Sequence, residues 1–184
     1  TRFKYQTAFY QLVLLAVLAG IGRAIERDVT QEIRERKRVF SHGTADTTRG
    51  DAQIQQVVGQ ISAQVYAAEA ATLRCAGPLQ RAYVARFGHD QELERQANID
   101  AEIETAKAQV VVSELILRAA TDLFNALGAS GVSVSKSLDR HWRNARTAAS
   151  HNPWIYKARI VGDWTINGTE PLYVWQIGNS LKAG

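Results

Sequence analysis

Methionine is absent from this 184-residue sequence, cysteine occurs once and proline three times. A single cysteine, Cys75, closes neither an internal disulfide nor a thiolate metal cage, so a reduced, cytoplasmic setting is expected. One domain of this length buries roughly 70% of its unfolded surface, enough to hold a core without metal or cross-link. With 46% hydrophobic and 22% charged residues, the composition sits near the globular average and excludes disorder and collagen-like repeats. The missing initiator, with an opening Thr1-Arg-Phe-Lys4, leads us to expect a piece of a larger polypeptide.

Long runs of one charge are missing too. The formal net charge is +4 and the pI near 9.4. The excess sits in Arg34, Arg36, Lys37 and Arg38, and in Arg140, Arg143 and Arg146, with Glu32 and Glu35 interleaved. No Lys/Arg block is long enough for a nucleic-acid tail, so no nucleic-acid partner is expected. The most apolar stretch, Leu12 to Gly22, is eleven residues. A bilayer needs about 20. Tyr5 and Gln6 make no signal-peptide n-region, and charged helix follows Gly22. A segment apolar on all sides but too short to span reads as a helix buried inside a bundle, with no membrane role.

Helical periodicity is abundant. A first helix is predicted from about Tyr5 to Arg38, followed by a loop over Ser41–Gly50 rich in residues that hydrogen-bond their own backbone. Asp51 is a plausible N-cap for a second helix with the seam Ile54, Val58, Ile61, Val65, Ala68 and Thr72. Gly77-Pro78 interrupts it, and Leu79 to Phe87 continues as helix. Ile99, Ile103, Ala106, Val110, Ser113, Leu117, Ala120 and Phe124 recur at spacings of four and three, the mark of a long helix laid against neighbours at shallow angles. Glycine at Gly128 should end it. Shorter helices are expected over Ser137–Ala149 and Pro153–Trp164, the latter with proline in its first turn. Nothing reads as a useful strand. The expected fold is all-α: one antiparallel, up-and-down helical bundle over residues 1–184.

Catalytic signatures are sparse. His42, His89, His141 and His151 include no i, i+4 pair and have no cysteine partner, so no metal site is expected. There is no Gly-x-Ser-x-Gly, phosphate loop or Gly-x-Gly-x-x-Gly. Asn167-Gly-Thr169 matches a glycosylation acceptor but reads as a turn in a chain with no secretory signal. The final third differs. It holds all four tryptophans, Trp142, Trp154, Trp164 and Trp175, and the string Leu138-Asp-Arg-His-Trp-Arg-Asn-Ala-Arg-Thr-Ala-Ala-Ser-His-Asn-Pro153. On composition alone that string reads as a solvated arginine face ending in a loop.

The same string, with Ile155-Tyr-Lys-Ala158 and Val161-Gly-Asp-Trp-Thr-Ile-Asn-Gly168, resembles the C-terminal region of acyl-CoA dehydrogenase-like flavoproteins. The branch it is similar to is that of two-component flavin monooxygenases, typified by dibenzothiophene and dimethyl-sulfone monooxygenases. Phe124-Asn-Ala-Leu-Gly-Ala-Ser-Gly131 resembles that family's glycine turn after a long helix, and Arg36-Lys-Arg-Val-Phe40 its flavin-facing arginine segment. The similarity covers essentially the whole chain, strongly after Leu123 and weakly before.

The resemblance implies a C-terminal helical bundle of a tetrameric flavoprotein, preceded in the family by a helical and a β-domain. Relatives that dehydrogenate thioesters and keep their base here carry Tyr-Glu-Gly-Thr; this chain has Ser150-His151-Asn152 and no nearby glutamate. That departure points to the monooxygenase branch, where O2 reacts with reduced flavin and a histidine at the flavin edge does general acid–base work, a task suited to its pKa. The implied residues are His151 as catalytic group, Arg36 or Arg38 as flavin-phosphate clamp across a subunit interface, and Ser130 with the backbone of Gly128 and Gly131 as weaker flavin contacts. The macrodipole alone would also favour Arg36 and Arg38 at a solvated helix end. The implied cofactor is reduced FMN, with FAD as the alternative. The implied partners are a separate flavin reductase, a small-molecule substrate and further copies of the chain in a dimer or tetramer. Half a pocket cannot keep water out, so the bundle alone should not catalyse. Two other readings stay open: a dehydrogenase with its base elsewhere, and a helical oligomerisation module without an active site.

Overall fold

The structure is a computed structural model that describes residues 3–173; Thr1 and Trp175 lie outside them. All regular structure among these residues is helical. The helices are α1 (Tyr5–Glu35), α2 (Ala52–Arg74), α3 (Ala76–Ala85), α4 (Gln91–Leu127), α5 (Arg140–Ser150) and α6 (Ile155–Asn167), with 3-10 turns at Thr48–Gly50 and Ala129–Val132. The expected all-α bundle is the fold found.

α4 is its axis, packed against α1, α2, α3, α5 and α6. The sequence accounts for this. Beside the seam of Ile99, Ile103 and Ala106 runs a second buried set, Ala101, Ala108, Val112, Ile116, Ala119 and Leu123, so α4 buries more than one face. Small alanines among them let several neighbours approach closely. Its ends are well defined. The Asp90 carboxylate accepts from the backbone N–H of Glu92 and Leu93, both at 3.0 Å, and Glu92 and Glu94 suit the positive end of the dipole. Gly128 closes it at φ 61°, ψ −165°, a region essentially confined to glycine.

α1 lays Leu15, Leu18, Ile25 and Val29 into the main core with Ile61 and Val65 of α2 and Val112, Ile116 and Leu123 of α4. It is not buried all round, contrary to the expectation from its apolar run: Val13 and Val17 stand about half exposed. Nor does length by itself exclude a membrane span, because α1 contains an 18-residue window of mean hydropathy 1.8. The face that α2 and α4 cover is what ties the helix into the bundle.

Three boundaries differ from the sequence reading. α1 stops at Glu35, and Arg36 turns extended at φ −70°, ψ 122°, because contacts from other elements hold the strap beyond it. The α2–α3 break falls at Cys75, leaving Gly77 and Pro78 in the first turn of α3, where a missing N–H costs nothing. α5 starts at Arg140 rather than Ser137, which sits at φ 49°, and Pro153 lies in the turn before α6 rather than inside the helix.

Candidate functional site

Arg36, Arg38 and Ser130 come together. The last carbonyl of α4, Leu127 O, has no helical donor and takes two from elsewhere: Arg36 Nη1 at 2.5 Å and the Ser130 hydroxyl at 3.2 Å. Both guanidinium groups lie over the Phe40 ring, at 5.7 Å for Arg36 and 5.5 Å for Arg38. Thr48 donates its hydroxyl to the Arg38 carbonyl at 3.0 Å, fixing the extended strap after α1. Arg36, Arg38, Lys37, Ser130 and Lys136 then line a surface pocket of about 590 Å³ with Glu32, Glu35 and Leu127.

Four cations face two carboxylates there, a formal excess of +2. Glu35 accepts from Gln31, and Glu32 pairs with Lys136. The Arg38 guanidinium makes no hydrogen bond to a described residue, so its N–H groups are free for an incoming anion. These donors fit a phosphate: a planar fork binds its oxygens in pairs, and the charge excess matches a dianion. The turn that holds Ser130 needs both of its glycines for shape. Gly128 supplies the positive φ, and a Cβ on buried Gly131 would stand 2.9 Å from Leu127 Cβ.

His151 is not part of that pocket. It follows the last residue of α5, its side chain exposed and without a hydrogen bond to any described residue. Lys136 of the arginine pocket precedes α5 and His151 follows it, so the eleven residues of α5, roughly 16 Å of helix, separate the two in the chain. Polar pairs anchor the start of α5 and the first turn of α6 on the bundle. On α5, Arg140 Nη2 and His141 Nε2 reach Asp28 Oδ2 of α1 at 2.5 and 2.9 Å. On α6, Lys157 Nζ meets Glu102 Oε1 of α4 at 2.9 Å, with side chains only 2% and 1% exposed. Two charges so deep cost several kcal/mol each in desolvation and are retained only with good geometry.

Nothing in the sequence marks these pairs. His141 is one of four histidines outside any metal or nucleophile pattern, and Asp28 and Glu102 carry no motif. Burial pushes the His141 imidazole below its usual pKa against the opposing pull of its hydrogen bond to Asp28. Burial would raise the Asp28 carboxyl, but hydrogen bonds from Arg27 and His141 outweigh it and hold the group below its usual value. Cys75 is no nucleophile: burial pushes its thiol up to about 12.

Several known proteins share this arrangement of helices. A dibenzothiophene monooxygenase of Mycolicibacterium goodii is 26% identical over 162 residues, 88% of this chain and 38% of that protein. A probable FMNH2-dependent monooxygenase, SfnC of Pseudomonas putida, is 25% identical over 161 residues, 88% of this chain and 40% of its own. Among solved structures, FMN-bound TdsC from Paenibacillus sp. A11-2 superposes with a TM-score of 0.79 at 28% identity, covering 91% of this chain and 41% of that one. The chain thus spans about two fifths of the length of these relatives. Residues 12–154 match the family model of the acyl-CoA dehydrogenase C-terminal domain, from the third turn of α1 to the turn after α5. With that match across the helices that build the arginine pocket, the chain belongs to the acyl-CoA dehydrogenase C-terminal domain family.

Proposed function

We propose that this bundle is the C-terminal part of a larger flavoprotein, a monooxygenase that works with reduced FMN delivered by a separate reductase. The observation that carries the reading is the convergence of Arg36, Arg38 and Ser130, 92 to 94 positions apart between strap and turn, on one pocket with a net positive lining. FMN is favoured over FAD because one relative is named for FMNH2 and another was solved with FMN bound. Arg38, whose guanidinium stacks on Phe40 and makes no hydrogen bond to a described residue, clamps the phosphate. Arg36 frames it while anchored on Leu127 O, and Ser130 with the backbone of Gly128 and Gly131 completes the wall.

Reduced flavin, when bound, supplies the electrons that activate O2. His151 holds and delivers a proton at its imidazole, a role worth about 10² to 10⁴ in rate. On this bundle the ring is exposed, so the remainder of the polypeptide covers it and keeps water out. The separation of His151 from the arginines has a simple reading: they serve two different pockets, the arginines of one copy reaching the flavin held beside the histidine of the next. The protein is then an obligate dimer or tetramer, cytoplasmic, acting on a small molecule. Phe9, Val13 and Val17, about half exposed along one side of α1, offer an apolar face for such contacts.

The experiment is His151→Ala in the full-length protein, supplied with reduced FMN and O2. Product formation falls by about 100-fold or more if the imidazole does the proton work. Unchanged turnover would contradict the assignment.

A further inference from the structure

Resting on the reading of this pocket as a flavin-phosphate site, we infer that Lys136 is a further phosphate-binding residue and that Glu32 competes with the phosphate for it. The glycine turn itself brings no charge to the pocket: Ser130 is a neutral hydroxyl already donating to Leu127 O. The cation on this side comes six residues on. Lys136 lines the same pocket as Arg36, Arg38 and Ser130, on the segment that follows that turn.

Its backbone is held by construction rather than by chance. Arg140 donates from Nη1 to the carbonyls of Lys136, at 3.3 Å, and Ser137, at 2.9 Å, while its Nη2 grips Asp28. Ser137 adopts a left-handed φ of 49°, uncommon for a residue with a side chain, and its N–H bonds back to Ser133 O at 3.3 Å. A strained, cross-braced loop keeps Lys136 directed at the end of α1.

There the ammonium pairs with the Glu32 carboxylate, both groups partly shielded from water. Glu32 thus acts as an internal anion in the place a phosphate oxygen would take. A bound phosphomonoester has to draw the ammonium away from the carboxylate or share it, so the pair lowers flavin affinity below what four cations would give. That suits a protein whose flavin arrives and leaves rather than staying bound.

The test is flavin titration of the full-length, flavin-free protein with FMN and with riboflavin, which lacks the phosphate. Lys136→Gln is expected to weaken FMN binding roughly tenfold and leave riboflavin unchanged, in line with loss of one hydrogen bond between charged groups. Glu32→Gln should act in the opposite direction, tightening FMN several-fold without affecting riboflavin, and Lys136→Arg should restore most of the FMN affinity. A lysine that merely stabilised the loop would weaken both flavins alike. FMN affinity unmoved by both Gln variants, or riboflavin shifted in parallel, overturns the inference while the pocket assignment stands. Wild-type protein that binds FMN no better than riboflavin overturns both.

Discussion

Asp28 and His141 show how single residues tie the fold to pH. Both have folded-state pKa values below their ordinary ones, so the folded protein binds fewer protons than the unfolded chain as the solution becomes acidic. The His141 contribution is complete above its ordinary value of about 6.5 and is lost as pH falls below it; that of Asp28 is lost only below about 3.8. Urea midpoints should therefore fall between pH 7 and pH 5, and His141→Asn should flatten that slope. An equally steep slope in the variant would mean that other groups carry it. Neither residue's role was legible in the sequence, because the partners lie 113 positions apart and nothing local distinguishes His141 from His89. The arginines were legible as a cluster, but that Leu127 O engages Arg36 was not, because the two lie 91 positions apart.

At the scale of elements, close packing of α1 decides more than its apolar composition does. A Cβ on Gly22 would stand 2.6 Å from Ile116 Cδ1 and 3.3 Å from Val65, so α2 and α4 both press on that point. Gly20, two residues away, has nothing within 4 Å. Gly22→Ala should destabilise by about 1–3 kcal/mol. Gly20→Ala should stabilise by about 0.5–1 kcal/mol through helix propensity alone, and thermal or urea melts of the two variants check both signs. The α4–α6 connection gives a second contrast. Lys157→Met strands a buried carboxylate and should cost about 3–5 kcal/mol. Adding Glu102→Leu should recover much of the loss; a double variant as unstable as the single one would show that packing, not charge, sets the cost. The seams of α2 and α4 were readable because their periodicity is unbroken. The early stop of α1 was not, since it depends on Thr48 and Leu127 holding a strap that intrinsic propensity would have left helical.

Over the whole molecule, the arginine pocket and His151 lie apart, and the proposed function has a second copy of the chain bring the two halves into one site. The fold class was legible because helical periodicity dominates the sequence. A division of the site between copies came only from the family resemblance, since a linear string by itself does not say which copy a residue serves. Mixing variants asks that question directly. Full-length protein carrying Arg36→Ala and Arg38→Ala is reassembled with protein carrying His151→Ala, each inactive by itself, and product formation is measured with reduced FMN supplied. Mixed oligomers should regain activity, because one kind of pocket then combines an intact His151 from one copy with intact arginines from the other. Mixtures as inactive as their parents, with exchange of subunits verified, would contradict a shared site.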